Sequence, residues 1–159
     1  MKVSNQVATA VNRLAWQFPN YAVKTTGHSL GAALATHAGM FLLKNGYSGV
    51  SMINFGQPRV GDATYSAFTS SAWGNEWRVT HYQDPVPHLP EELMGFKHSA
   101  LEMYQSGGTD WTIKQCNGSG EDPTCCDQWH TWQYNDDDHS VYLGQCLGSG
   151  CGQCSSSIQ

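Results

Sequence analysis

The stretch from Tyr21 to Ala38 constrains the fold more than any other part of the chain. Tyr21-Ala22-Val23-Lys24-Thr25-Thr26 is β-prone, and Ala32-Ala33-Leu34-Ala35-Thr36-His37-Ala38 is a helix former. Between them lies Gly27-His28-Ser29-Leu30-Gly31. A strand that passes into a helix this abruptly must bend sharply, and a G-x-S-x-G box at the bend is the pattern of a nucleophile elbow. Such a turn holds a serine Oγ clear of the sheet, where a carbonyl carbon can approach it. The two glycines are expected to let neighbouring backbone pass close by without a Cβ clash.

The rest of the chain extends this reading. Val3, Val7, Ala10, Val11 and Leu14 recur at helical spacing and predict a helix over residues 3–17, stopped by Pro19-Asn20. A second helix is expected from Leu30 to Lys44, closing at Asn45-Gly46. Val50 to Phe55 reads as a buried strand, Trp77 to His81 as another and His98 to Tyr104 as a further one. Asp62 is positioned to cap a short helix through about Ser70. Alternating helices and strands imply a parallel sheet with crossover helices. After about Ser106, Cys, Gly, Asp and Trp dominate, and loops are expected. Residues 1–146 read as one domain and 147–159 as a flexible Gly/Ser/Cys-rich tail.

Composition excludes some partners. Only 13% of the 159 residues are charged, the net charge is −5, and no Lys/Arg cluster exists to neutralise phosphates. Nucleic acid and anionic membrane surfaces are therefore poor candidates. Cys116, Cys125, Cys126, Cys146, Cys151 and Cys154, with the sequon Asn117-Gly118-Ser119, point to an oxidising, secretory compartment. Met1 to Ala10 carries no apolar run of signal-peptide length, and no stretch approaches the roughly 20 apolar residues of a membrane span.

A serine hydroxyl needs a base within hydrogen-bond reach and an acid to orient that base. The elbow is used in chain order Ser, then Asp or Glu, then His. Asp84 follows the strand Trp77–His81 in a loop stiffened by Pro85 and Pro87, though an aspartate before proline also opens turns. Asp62 is explained by capping. Asp110, Asp122 and Asp127 have no strand before them. Of seven histidines, His28 is adjacent to Ser29 with its side chain expected to point away from it, and His37 lies in a helix. His81 and His88 are too near Asp84 in sequence. His139 is favoured as base because Ser140-Val141-Tyr142-Leu143-Gly144 can anchor its loop; His130 and His98 remain open.

Four segments carry a resemblance. The elbow with its flanks, Asn54-Phe-Gly-Gln-Pro-Arg-Val-Gly61, Arg78-Val-Thr-His-Tyr-Gln-Asp-Pro-Val-Pro-His-Leu-Pro90 and Asp138-His-Ser-Val-Tyr-Leu-Gly144 resemble the fungal class 3 lipase family, with its feruloyl esterase relatives. The resemblance implies an incomplete α/β-hydrolase fold with an irregular Cys-rich C-terminal region. It implies Ser29, Asp84 and His139 as the catalytic residues, the backbone N–H of Leu30 as one oxyanion donor, and a structural role for His98. It also implies a Cys116–Cys125 disulfide and an extracellular location. Family members are longer at the N-terminus, with a lid and a second oxyanion donor there. A family cysteine resembling Cys146 pairs with one in that region, so Cys146 is expected to lack that partner.

The chemistry that the resemblance implies is carboxylic ester hydrolysis through an acyl-enzyme, with no cofactor, by a monomer acting on acylglycerol or aryl (feruloyl) esters, with a lipid–water interface as a candidate partner. A truncated chain that binds esters without turning them over is the alternative. An imidazole base must be neutral, so activity is expected to decline below about pH 6.5. Weaker patterns read blandly. Asp136-Asp137-Asp138 lacks a calcium-loop pattern and reads as a solvated loop. Cys151-x-x-Cys154 is short of the four ligands zinc needs. Trp111, Trp129 and Trp132 read as packing rather than a stacking platform.

Overall fold

A computed structural model describes residues 2–74, 76–107 and 112–147. In chain order the elements are α1 (Lys2–Gln17), β1 (Lys24–His28), α2 (Leu30–Lys44), β2 (Ser51–Phe55), β3 (Gly61–Asp62), α3 (Ala63–Ala72), β4 (Glu76–His81), β5 (Phe96–Lys97), β6 (Glu102–Gln105), β7 (Ile113–Gln115), α4 (Asp136–His139), β8 (Val141–Tyr142) and β9 (Gln145–Cys146). The main sheet runs β1-β2-β4-β6-β7. Its first three pairings are parallel, as the alternation of helices and strands requires. β7 joins the far edge antiparallel to β6. This is the α/β-hydrolase arrangement, with an irregular C-terminal region.

The boundaries differ from the sequence reading in instructive ways. β1 begins at Lys24 and runs through Gly27-His28, because pairing with Ser51 to Phe55 sets its register. β2 is only partly buried, with Ile53 41% exposed. The strand expected from His98 begins instead at Glu102; His98 sits in the preceding loop. β7 is the strand that the loop-rich composition after Ser106 concealed. Asp62 does cap α3, its carboxylate accepting from the Tyr65 N–H at 2.8 Å.

Two kinds of interior share the sheet. Met40, Leu42, Val50, Met52 and Trp73 form an apolar cluster between α2 and the β1–β2 side, with Val11 of α1 packed against it. Val79, Met103 and Tyr142 form a second cluster near the sheet centre. Farther across, Tyr104 packs with Cys116, Cys125 and Cys126. Cys116 and Cys125 are joined in a disulfide, Cys126 is a buried free thiol, and Cys146 is also disulfide-bonded. Many of the other side chains buried beside β4 and β6 are polar. Arg78, fully buried, donates to the carbonyls of Ser99 and Gly120 at 3.0 and 3.1 Å. Thr80 donates to Glu102 at 2.6 Å, and Ser99 donates to Glu76. The expected flexible tail lies outside the described residues from residue 148, and with it Cys151 and Cys154.

Candidate active site

Ser29 sits between β1 and α2 with φ 58° and ψ −130°, a left-handed backbone that costs a non-glycine residue roughly 1–3 kcal/mol. The neighbours hold it there. Its N–H donates to Phe55 O at 3.0 Å, and its carbonyl accepts from the Ala32 N–H at 2.9 Å. Gly27 is required, since a Cβ on it would stand 2.2 Å from Gly31 O. Gly31 is not: a Cβ there would meet nothing within 4 Å. The expected close approach therefore holds for one glycine of the two. Leu30 opens α2, so its N–H is among the first-turn amides that have no acceptor within their own helix.

β4 delivers Asp84 into a turn at its carboxyl end. The Asp84 N–H donates to His81 O at 2.9 Å, and Oδ1 accepts from the Val86 N–H at 2.8 Å. The carboxylate is 1% exposed. Its other oxygen, Oδ2, accepts from His139 Nδ1–H at 2.9 Å and from the Tyr142 hydroxyl. Asp84 thus forms a turn through one oxygen and meets an imidazole and a phenol through the other. His139 ends α4 and is half-buried. Donation from Nδ1 leaves Nε2 as the unprotonated, basic nitrogen of the neutral ring. Burial and the Asp84 charge push the Tyr142 hydroxyl well above its ordinary pKa, so it remains a donor.

The rival histidines lie elsewhere. His130 is exposed and stacks on Trp132 at 4.6 Å. His98 is buried and donates through Nε2–H to Pro87 O at 2.7 Å; burial, then Arg78 and Arg59, holds it well below its ordinary pKa. His81 lies between the carbonyl oxygens of Asp138 and Gly107. His28, the neighbour of Ser29 in sequence, stacks its ring face to face on His139 at 4.5 Å.

Three residues at this site were not singled out by sequence reasoning. Gly56 (φ +54°) passes so near the site that a Cβ would stand 2.9 to 3.1 Å from the Tyr142 hydroxyl, Asp84 Oδ2 and His139 Cε1. A glycine directly after a strand was the available signal. In the sequence Tyr142 is visible only as part of an apolar run, and His28 only as the neighbour of Ser29.

Other clusters are accounted for locally. Asp136 and Asp137 are exposed, but Asp138 is 7% exposed, so the triplet is not wholly a solvated loop. Among the described residues, Glu102–Cys116–Cys125 and Glu92–Glu121–Asp127 have metal-like spacing. The sulfurs of the first are already in a disulfide, and Arg59 lies within the second, donating bidentately to Glu121 at 2.8 and 2.9 Å. Trp129 packs as expected, donating to the Tyr104 hydroxyl at 2.9 Å, whereas Trp132 is 79% exposed. Trp111 lies outside the described residues.

The model of the lipase (class 3) family matches residues 1–94. This chain belongs to the class 3 lipase family. The secreted mono- and diacylglycerol lipase 1 of Fusarium solani is 37% identical over 123 residues, which is 74% of this chain and 37% of that protein. A Rhizomucor miehei lipase is 33% identical over 78% of this chain and 35% of its own length. The chain thus spans little more than a third of these curated relatives. Among solved structures, lipase II from Rhizopus niveus superposes with a TM-score of 0.83 at 30% identity, over 93% of this chain and 58% of that one. A triacylglycerol lipase whose catalytic centre is described as a serine protease triad superposes at 0.81 with 31% identity, over 89% of this chain and 55% of that one.

Proposed function

We propose that this class 3 lipase domain hydrolyses carboxylic esters of the acylglycerol type, with Ser29 as nucleophile, His139 as base and Asp84 as the orienting acid. The observation that carries the reading is the 2.9 Å bond from His139 Nδ1 to the buried Asp84 carboxylate, next to a strained serine turn. Among the described residues no hydrogen bond joins Ser29 Oγ to the imidazole. Such nucleophile–base bonds are often long before substrate arrives and tighten with it.

In the proposed reaction Ser29 Oγ attacks the ester carbonyl while His139 Nε2 takes its proton. Asp84 stabilises the imidazolium, and Tyr142 keeps Oδ2 in place by donating to it. The Leu30 N–H, at the positive end of α2, faces the oxyanion. The imidazolium returns the proton to the departing alcohol. Water, deprotonated by His139, then releases the acid.

A cleft of about 390 Å³ lies between the loop that follows Asp84 and the loop that precedes His139. His88, Leu89, Leu93, Trp132 and Tyr134 line part of it, and Leu93 is 96% exposed. Arg59, Glu91, Glu92 and Asp127 line another part, so the cleft offers an apolar patch of Leu89, Leu93 and Trp132 to an acyl chain or a lipid–water interface beside a charged wall, and the relatives' names include mono- and diacylglycerol lipases. A feruloyl ester is the alternative occupant. The exposed Asn117 would carry an N-glycan in a secreted chain.

Labelling with a fluorophosphonate tests the reading. The expected result is stoichiometric modification that disappears in Ser29→Ala and falls at least about 100-fold in rate in His139→Ala. A folded chain that takes no label overturns it and favours a module that binds esters without turnover.

A further inference from the structure

His28 does more than precede the nucleophile. Its Nε2–H donates to the backbone carbonyl of His139 at 2.7 Å, an acceptor-only group, so this nitrogen must carry the ring proton. Its ring lies against the His139 imidazole with centroids 4.5 Å apart and planes inclined by 30°. It also meets the Tyr142 ring edge-on at 5.8 Å. His139 is therefore held on two sides, by Asp84 through Nδ1 and by His28 through its backbone and its ring face.

The connectivity matters. His28 is the last residue of β1, and its register is set by pairing with Phe55. Ser29 follows directly, and its N–H donates to the same Phe55. The base comes from a short helix 111 residues later in the chain. One side chain on the nucleophile's own strand thus ties the base's loop to the sheet edge that presents the serine.

We propose that His28 is a positioning residue for this reaction: it clamps the backbone of His139 and braces its ring, so that the base's Nε2 is held in register with the Ser29 hydroxyl. The inference rests on the Ser29–Asp84–His139 reading above. His28 has a second consequence through its charge. The titratable groups that face it are His139, Tyr142 and, behind them, Asp84. Burial, the largest cause, holds its pKa below 6.5, so it is neutral near pH 7. A neutral ring leaves room for the His139 imidazolium that forms during attack. A protonated one would set two cations face to face, and the acid limb of the activity would then report two ionisations.

Two variants and one measurement on the unaltered protein test this. His28→Phe keeps the ring contact and removes the donor; His28→Gln supplies an amide N–H without a ring. Fluorophosphonate labelling rate, and kcat and KM on p-nitrophenyl butyrate, are followed from pH 4.5 to 8. His28→Phe is expected to lower the labelling rate and kcat about 5- to 10-fold with KM unchanged. His28→Gln is expected to recover part of that loss, and the acid limb of both variants is expected to fit a single ionisation. Rates and pH profiles within twofold of the parent in both variants would overturn the proposal. So would an equal loss in KM and kcat in both, which marks a general structural defect. If either variant fails to fold, imidazole nitrogen NMR of the parent chain decides. The expected His28 signal is the Nε2–H tautomer, and an Nδ1–H tautomer overturns the clamp. Absence of labelling in the parent chain sinks the hydrolase reading, while the tautomer still reports on the clamp.

Discussion

Around β1 and β2 the interior is largely Met40, Leu42, Val50, Met52 and Trp73, with one buried polar knot where Asn54 donates to Gln57 at 2.7 Å and to Ala32 O at 2.9 Å, whereas around β4 and β6 the polar Glu76, Arg78, Thr80, His81, Glu102 and Gln105 surround the Val79–Met103–Tyr142 cluster. The first region is held chiefly by burial, which has no direction and tolerates small shifts. The second is held by hydrogen bonds, each demanding a partner at a set distance and angle. The candidate site straddles the seam between them. Ser29 hangs from the apolar side through β1 and α2. Asp84 and His139 hang from the polar side, through the end of β4 and the short helix α4, which His81 touches at Asp138 O. A directional network suits the acid and the base, because their task depends on where one proton sits. The apolar side needs only to present a strained turn and keep it from relaxing.

The contrast can be broken most severely from the apolar side. Leu42 is 2% exposed within its cluster. Leu42→Ala is expected to cost about 4 kcal/mol in urea unfolding, through lost transfer energy and the cavity left behind. A cost near 1 kcal/mol would mean that this cluster collapses around the gap.

Acid should attack the polar side instead. An ordinary imidazole titrates at 6.5, but burial and then Arg59 push His88 down to about 4. Between those values the unfolded chain binds a proton that the folded chain refuses. Stability is therefore complete above pH 6.5 and falls as pH is lowered towards 4, by roughly 3 kcal/mol from His88. His98, held low for the same reason, acts in the same direction. Glu76 opposes them: burial raises its pKa, so its contribution is largest in acid and is lost as pH rises through the folded value. Urea midpoints at pH 7 and pH 4 measure the sum, and His88→Phe should flatten the slope. An unchanged slope in that variant would relocate the acid sensitivity.

The smallest effect sharpens the comparison. The Cys116–Cys125 bridge closes a short loop, nine residues in separation, beside Tyr104. Replacing both cysteines with serine is expected to cost about 2.5 kcal/mol by the chain-entropy account. The loss should appear in thermal unfolding, with the Ser29 labelling rate kept within a few-fold. A collapse of labelling would show that this staple reaches the site.

Much of this was readable before any coordinates. The helix over 3–17, the helix from Leu30 to Lys44 and the strands near 51–55 and 77–81 follow from apolar spacing and punctuation, because those patterns act over a few residues. The acid was narrowed to Asp84 by its place after a strand. Chain order alone leaves His130 and His98 beside His139 as candidates for the base. Gly56 and Tyr142 escaped notice because each matters only through residues far off in the chain. β7 was missed because its three residues pair with β6 across a loop-rich stretch that carries no strand pattern of its own.

By itself the sequence determined the local events: where helices begin and end, that a serine stands on a sharp bend, and which acid trails a strand. Local preferences need only neighbours in the chain, so they survive without a tertiary context. Only the tertiary structure decided that Asp84 divides its two oxygens between a turn and an imidazole, that Tyr142 shares one of them, and that His28 lies on His139. Apart from the turn itself, those contacts join residues 55 to 111 positions apart, and their existence depends on how the whole sheet brings its carboxyl ends together.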